Sequence, residues 1–183
     1  HDLHSQLYKD VRRTHSFHKE IHKDAPYAKW VTRDLANVPN KSFQEVKTKF
    51  AVEVEYVIAN LTPEPGHPFL GYIPESYKLE IFGALLGPGG YHSPHVHSGA
   101  WLSGGYYVQV PALEDRDEDD HAACIEFGRC FLGDPDNFET DVKFIQPQEG
   151  MLLMWPGYYI HNTVPCQSQR ERLTMGINVY PVE

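Results

Sequence analysis

Arg172-Leu173-Thr174-Met175-Gly176-Ile177-Asn178-Val179 alternates polar or small residues with apolar ones over eight positions. Successive side chains leave a strand on opposite faces. Arg172, Thr174, Gly176 and Asn178 therefore share one face, and Leu173, Met175, Ile177 and Val179 share the other. The apolar face is expected to pack against an outer layer, which turns Arg172 toward the interior of an enclosure. Upstream, Leu79 to Leu86, Trp101 to Val110, Cys124 to Phe127 and Met151 to Trp155 are further short apolar runs, punctuated by proline and glycine. Many short strands with such breaks predict a mainly β protein, a sandwich or jelly roll with helices packed outside.

The first part of the chain reads differently. Leu3, Leu7 and Val11 fall at helical spacing, and Pro26 and Pro39 interrupt the chain beyond them, so one short helix and a connecting loop are expected. His1, His4, His15, His18 and His22 sit among charges and read as a solvated segment rather than a metal site. Ser42 followed by Glu45 matches a capping box, and Val46, Phe50, Val54, Val57 and Leu61 then recur on one helical face. That helix should end near Thr62-Pro63. The 183 residues are expected to form one domain, with 1–62 as helical support and 79–181 as the jelly-roll core.

Composition narrows the partners. A formal charge of -9 makes nucleic acid an unfavourable general partner. Cys124, Cys130 and Cys166 form an odd set without a C-x-x-C pair, which fits reduced thiols in a cytoplasmic protein. No apolar run approaches a membrane span and no secretory signal pattern opens the chain, so no membrane partner is expected. Between Ala112 and Asp141 lie eleven of the 25 acidic residues. They read as a solvated insertion, or as an acidic rim hinting at a cationic, amine-bearing substrate. Jelly rolls associate through sheet edges, so a homo-oligomer is compatible with this class.

The chemistry concentrates in four places. Gly87-Pro88-Gly89-Gly90 bends the chain, and Pro94 holds the backbone extended before His95-Val96-His97. Offset by two on a strand, His95 and His97 aim both imidazoles at one point, whereas His92, offset by three from His95, is expected on the opposite face. An apolar run and turn, Gly150 to Gly157, lead to His161, which can complete a three-histidine set. Neutral imidazoles suit zinc, copper, iron and nickel, and three protein ligands leave positions open for substrate or oxygen. Arg172 on an inward face calls for an anionic partner, and its planar fork fits a carboxylate, with the Thr174 hydroxyl adding a hydrogen bond.

Taken in order, His95-x-His97, the run Trp101-Leu102-Ser103-Gly104-Gly105-Tyr106-Tyr107-Val108, Gly150 to His161, and Arg172-x-Thr174 resemble the 2-oxoglutarate and Fe(II)-dependent oxygenase superfamily, in its "putative 2OG-Fe(II) oxygenase" branch. The resemblance covers Leu79 to Pro181. It implies a double-stranded β-helix, a cupin-like jelly roll with an iron site at its open end. It further implies that His95 and His161 are ligands of Fe(II) and that Arg172 and Thr174 hold the far carboxylate of the cosubstrate 2-oxoglutarate; His97 is expected to complete the three-histidine metal set, and Tyr106, Tyr107, Trp155 and Tyr158 are expected to wall the pocket. The implied activity is a dioxygenase that hydroxylates a small-molecule or peptide substrate and releases succinate and CO2. One departure stands out: the superfamily usually has a carboxylate where this chain has His97.

Two other readings compete. Gly89, five residues and His95-x-His97, then Gly150, five residues, Pro156 and His161, approach the two motifs of a cupin metalloenzyme that needs no 2-oxoglutarate. The glutamate expected soon after H-x-H is missing, because Ser98 to Ser103 contain no acid. A metal-free jelly-roll binding module is the third reading.

Overall fold

The computed structural model describes residues 2–17, 28–32, 34–112, 121–129 and 141–182. His1, His18, His22, Cys130 and most of the acidic stretch fall outside the described residues. Two helices, α1 (Leu3–Phe17) and α2 (Lys41–Asn60), accompany eight strands. These are β1 (Ala28–Val31), β2 (Tyr77–Leu86), β3 (Leu102–Gln109), β4 (Ile125–Phe127), β5 (Lys143–Ile145), β6 (Leu152–Pro156), β7 (His161–Thr163) and β8 (Arg172–Pro181). They form a five-stranded sheet in the order β1-β2-β8-β3-β6 and a three-stranded sheet β5-β4-β7. Every pairing is antiparallel.

Strand β8 lies in the middle of the larger sheet, and its alternation decides which side is which. Leu173, Met175, Ile177 and Val179 join Ile81 and Leu85 of β2, Leu7 and Val11 of α1, and Phe43, Val46, Phe50 and Val54 of α2 in one buried apolar cluster. The two helices thus cover the outer face, as the apolar stripe predicts. At 25 cal/mol per Å², burying each such large side chain contributes roughly 1.5–3 kcal/mol. Gly83 permits the close approach of α1, because a Cβ there would press on the Val11 side chain at 2.9 Å.

The helix start differs from the capping-box expectation. Asn40 is the N-cap, its side chain accepting from Ser42 N and Phe43 N. Ser42 lies one position inside the first turn, and its hydroxyl donates to Asp10 at 2.8 Å, linking α2 to α1. The stretch expected as connecting loop contains β1, which pairs with the edge of β2. Its four residues, Ala28-Lys29-Trp30-Val31, are too few for a periodic signal. β5 and β7 likewise add to the strands the sequence announces, since three residues each leave no alternation to detect.

Candidate metal and anion site

Between the two sheets lies a cavity of about 330 Å³. Its walls come from the inner faces of β2 (Phe82, Ala84, Leu86), β3 (Gly105, Tyr107) and β8 (Arg172, Thr174, Gly176), opposite Ile125, His161 and Thr163 of the smaller sheet. The H-x-H segment is stitched to the start of β7 and the turn before it by backbone bonds: His95 N to His161 O and His161 N to His95 O, both 3.0 Å, and His97 N to Gly157 O at 2.9 Å. This single antiparallel bridge faces His161 toward the H-x-H pair.

One ring nitrogen from each of His95, His97 and His161 lies within 4.8 Å of the others. Two of the rings are oriented by carbonyls. His95 Nδ1 meets Ser93 O at 2.7 Å and His161 Nδ1 meets Tyr159 O at 2.9 Å. A carbonyl can only accept, so Nδ1 carries the proton and Nε2 of the neutral ring presents its lone pair, the arrangement typical of metal-ligating histidine. His97 is held by ring contacts instead, lying against Phe82 with centroids 6.2 Å apart and nearly parallel to His161. Trp155 meets the His161 ring edge-on at 4.8 Å.

Burial, then the neighbouring His95, pushes His97 down to about 4. Burial pushes His161 down to about 3, with His95 acting in the same direction. Both rings are therefore neutral at pH 7, as ligation requires. Nε2 of His97 stands 3.3 Å from Nε2 of His161. Two nitrogens about 2.1 Å from one ion at octahedral or tetrahedral angles stand roughly 3.0–3.4 Å apart, so this pair is spaced for a shared metal ion, with His95 beside it.

His92 is placed differently from expectation. It lines the same cavity, its ring 6.0 Å from that of His95. Residues 91–94 form no strand, so the two-residue period does not extend back from His95. His92 still stays outside the three-nitrogen group.

Arg172 points into the cavity and is 6% exposed. Its Nη1 donates to Ala123 O at 3.1 Å and its Nε to Thr174 Oγ1 at 3.4 Å, while the guanidinium sits 5.0 Å over the Tyr107 ring. No carboxylate pairs with it among the described residues. Burial lowers the Arg172 pKa, Tyr107 opposing, but a guanidinium stays charged. A buried cation held only by neutral groups is costly and marks a place for an anion.

Of the four expected wall residues, Tyr107 and Trp155 line the cavity. Tyr106 does not: as the neighbour of Tyr107 it leaves β3 on the opposite face, where its hydroxyl bonds His4 at 2.6 Å and its ring meets Phe50. Tyr158 is 46% exposed and packs on Tyr159. Two contributors lie outside the sequence expectation. Phe82 supports His97, and its alternation with Ala84 and Leu86 along β2 is the signal that could have revealed it. Ala123 aims its carbonyl at Arg172 from a left-handed backbone, φ 63, which nothing about alanine announces.

Residues 81–178, more than half of the chain, match the family described as "Putative 2OG-Fe(II) oxygenase". Among solved structures, a prolyl-4-hydroxylase from Pseudomonas putida is 13% identical with a TM-score of 0.67, covering 100% of this chain and 88% of its own. The epimerase SnoN of nogalamycin biosynthesis, described as non-heme and alpha ketoglutarate dependent, is 12% identical with a TM-score of 0.64, covering 98% and 73%. A prolyl hydroxylase from Trichoplax adhaerens, in complex with a hypoxia inducible factor peptide fragment, is 14% identical with a TM-score of 0.62, covering 97% and 74%. No curated protein sequence matches. The shared architecture is the double-stranded β-helix. With its profile match spanning β2 to β8 and both the histidine set and Arg172 inside it, the chain belongs to the putative 2OG-Fe(II) oxygenase family.

Proposed function

We propose that this oxygenase is an Fe(II)- and 2-oxoglutarate-dependent dioxygenase of the hydroxylating kind, with His95, His97 and His161 as iron ligands and Arg172 and Thr174 as the clamp for the far carboxylate of 2-oxoglutarate. The observation that carries the reading is the buried Arg172, facing the same cavity as three converging imidazoles, with no carboxylate among the described residues to answer it. When bound, iron would let dioxygen act as the oxidant, with 2-oxoglutarate giving up two electrons as it becomes succinate and CO2.

The chain's own groups have separate tasks. Ser93 O and Tyr159 O fix the tautomers of His95 and His161. Thr174 Oγ1 and Ala123 O hold two of the guanidinium nitrogens at the cavity wall, and Tyr107 limits its movement. Phe82, Ala84, Leu86 and Ile125 keep the chamber largely apolar and poor in water. A cupin reading leaves Arg172 without a task. No described helix is long and apolar enough to cross a membrane.

His161→Ala is expected to lower iron affinity by at least 10-fold and abolish 2-oxoglutarate-dependent succinate release, while the far-UV circular dichroism stays unchanged. The ring stands at the cavity wall, and the main apolar cluster does not include it. Full iron occupancy in this variant at equal free iron removes His161 from the ligand set.

A further inference from the structure

Arg172 is the first residue of β8, and the backbone just before it is held from two sides. Glu171 turns to the outer face, where α1 lies. Buried to all but 9%, it accepts at Oε2 from the Tyr8 hydroxyl at 2.6 Å and from Arg12 Nη1. Arg12 also donates to the Tyr8 hydroxyl at 2.9 Å and lies over the Tyr8 ring, so the three side chains form one closed set. Tyr8 and Arg12 stand one turn apart on α1, beside the stripe of Leu7 and Val11 that packs on the sheet.

The second hold acts on the backbone. The peptide joining Glu171 to Arg172 is planar, so fixing its oxygen fixes the direction from which Arg172 leaves. That oxygen accepts from Gln109 Nε2 at 2.8 Å. Regular strand pairing reaches Arg172 on the β2 side, opposite Leu86, and Leu173 on the β3 side, opposite Gln109. Glu171 therefore lies one step beyond the ladder, where strand ends fray unless tied down. A two-pronged grip on a carboxylate tolerates little displacement, and Arg172 moves with the backbone that carries it.

We infer that Glu171, held by Tyr8 and Arg12 of α1, is a positioning residue for the cosubstrate: it keeps the start of β8 in place so that Arg172 meets the far carboxylate of 2-oxoglutarate. The inference rests on the clamp reading above. Tyr8 has the larger share, because the Arg12 side chain is 48% exposed and an ion pair so open to water is worth little. The sign of the effect separates positioning from simple electrostatics. By charge alone, removing a carboxylate next to Arg172 tightens the binding of an anion; loss of positioning weakens it.

The test is anaerobic calorimetric titration of the full chain loaded with Fe(II). Glu171→Ala should bind 2-oxoglutarate about tenfold more weakly. Its affinity for Fe(II), and for 2-oxopentanoate, which carries a methyl group in place of the far carboxylate, should stay within about twofold. Glu171→Gln can still accept from both partners and should keep 2-oxoglutarate affinity within about twofold of the unmodified chain. Tyr8→Phe removes the hydroxyl without touching β8 and should weaken 2-oxoglutarate about three- to fivefold, against less than about twofold for Arg12→Met.

Unchanged or tighter 2-oxoglutarate binding in Glu171→Ala overturns the inference. A loss that Fe(II) or 2-oxopentanoate shares also overturns it, since the contact is then structural only. If Glu171→Ala does not fold, Tyr8→Phe decides by the same readings. Full 2-oxoglutarate affinity in Arg172→Ala defeats the clamp itself, and the inference falls with it; a working clamp indifferent to Glu171→Ala and Tyr8→Phe defeats the inference alone.

Discussion

Arg172→Ala should weaken 2-oxoglutarate binding by about 2–5 kcal/mol while leaving iron affinity essentially unchanged. The loss is large because the cosubstrate's far carboxylate would face a chamber with no other buried cation on its described walls. Arg172→Lys should recover only part of it, since a point charge on a flexible stem cannot keep the Ala123 carbonyl and Tyr107 ring contacts together with a two-pronged grip on a carboxylate. The cosubstrate-free protein should respond in the opposite sense. Without an anion, Arg172 is a buried charge held by neutral groups, so Arg172→Leu should unfold at an equal or higher temperature. Calorimetric titration with 2-oxoglutarate under anaerobic conditions, alongside thermal melts, checks both halves. Unchanged 2-oxoglutarate affinity in Arg172→Ala would remove this residue from the clamp.

Gly176→Ala should lower iron affinity by about 10–100-fold although residue 176 contacts no imidazole. A methyl group at this point of β8 would overlap the Phe82 ring, which lies directly over the glycine. Phe82 must then leave the face of His97, the one histidine of the three without a carbonyl to orient it. The overpacking itself should destabilise the fold by about 1–3 kcal/mol. Phe82→Ala combined with Gly176→Ala separates the two effects: the melting temperature should recover, because the clash is gone, whereas iron affinity should stay low, because His97 still lacks its support. Competition with a chelator measures the affinity. Recovery of both quantities in the double variant would show that Phe82 does not position His97.

How much of the fold is legible in the chain depends on the length over which a pattern repeats. The alternation along β8 assigns Leu173, Met175, Ile177 and Val179 to the outer layer and Arg172 to the interior, and the packing agrees. The stripe from Val46 to Val54 places α2 against the same sheet. Short elements leave no such trace: β1, β5 and β7 span three or four residues, and β7 consists of the polar triplet His161-Asn162-Thr163, buried because it closes the cavity. The cap of α2 is misread from sequence because Asn40 and Ser42 both can cap, and only the hydrogen bonds of Ser42 to Asp10 and Asn40 decide between them.

Within the site, the i, i+2 geometry of His95 and His97 is readable, and the return of His161 beside them is expected from motif order. The position of His92 is not, since Pro94 and the irregular backbone before it break the period that would have turned that ring away. Tyr106 and Tyr107 are alike in composition, yet neighbours on a strand must part company, a distinction that strict alternation makes. The carbonyl of Ala123 depends on a turn conformation rare for its residue type and lies beyond what any local pattern conveys.

The most direct measurement is an anaerobic titration of the metal-free full chain with Fe(II) and then 2-oxoglutarate, followed in the visible region. If three histidines and Arg172 hold the two in one chamber, a weak charge-transfer band appears only with both present, at one equivalent of each. It should be missing from His161→Ala and need much more 2-oxoglutarate in Arg172→Ala. A folded chain that binds iron yet shows no such band at saturating 2-oxoglutarate would contradict a shared centre.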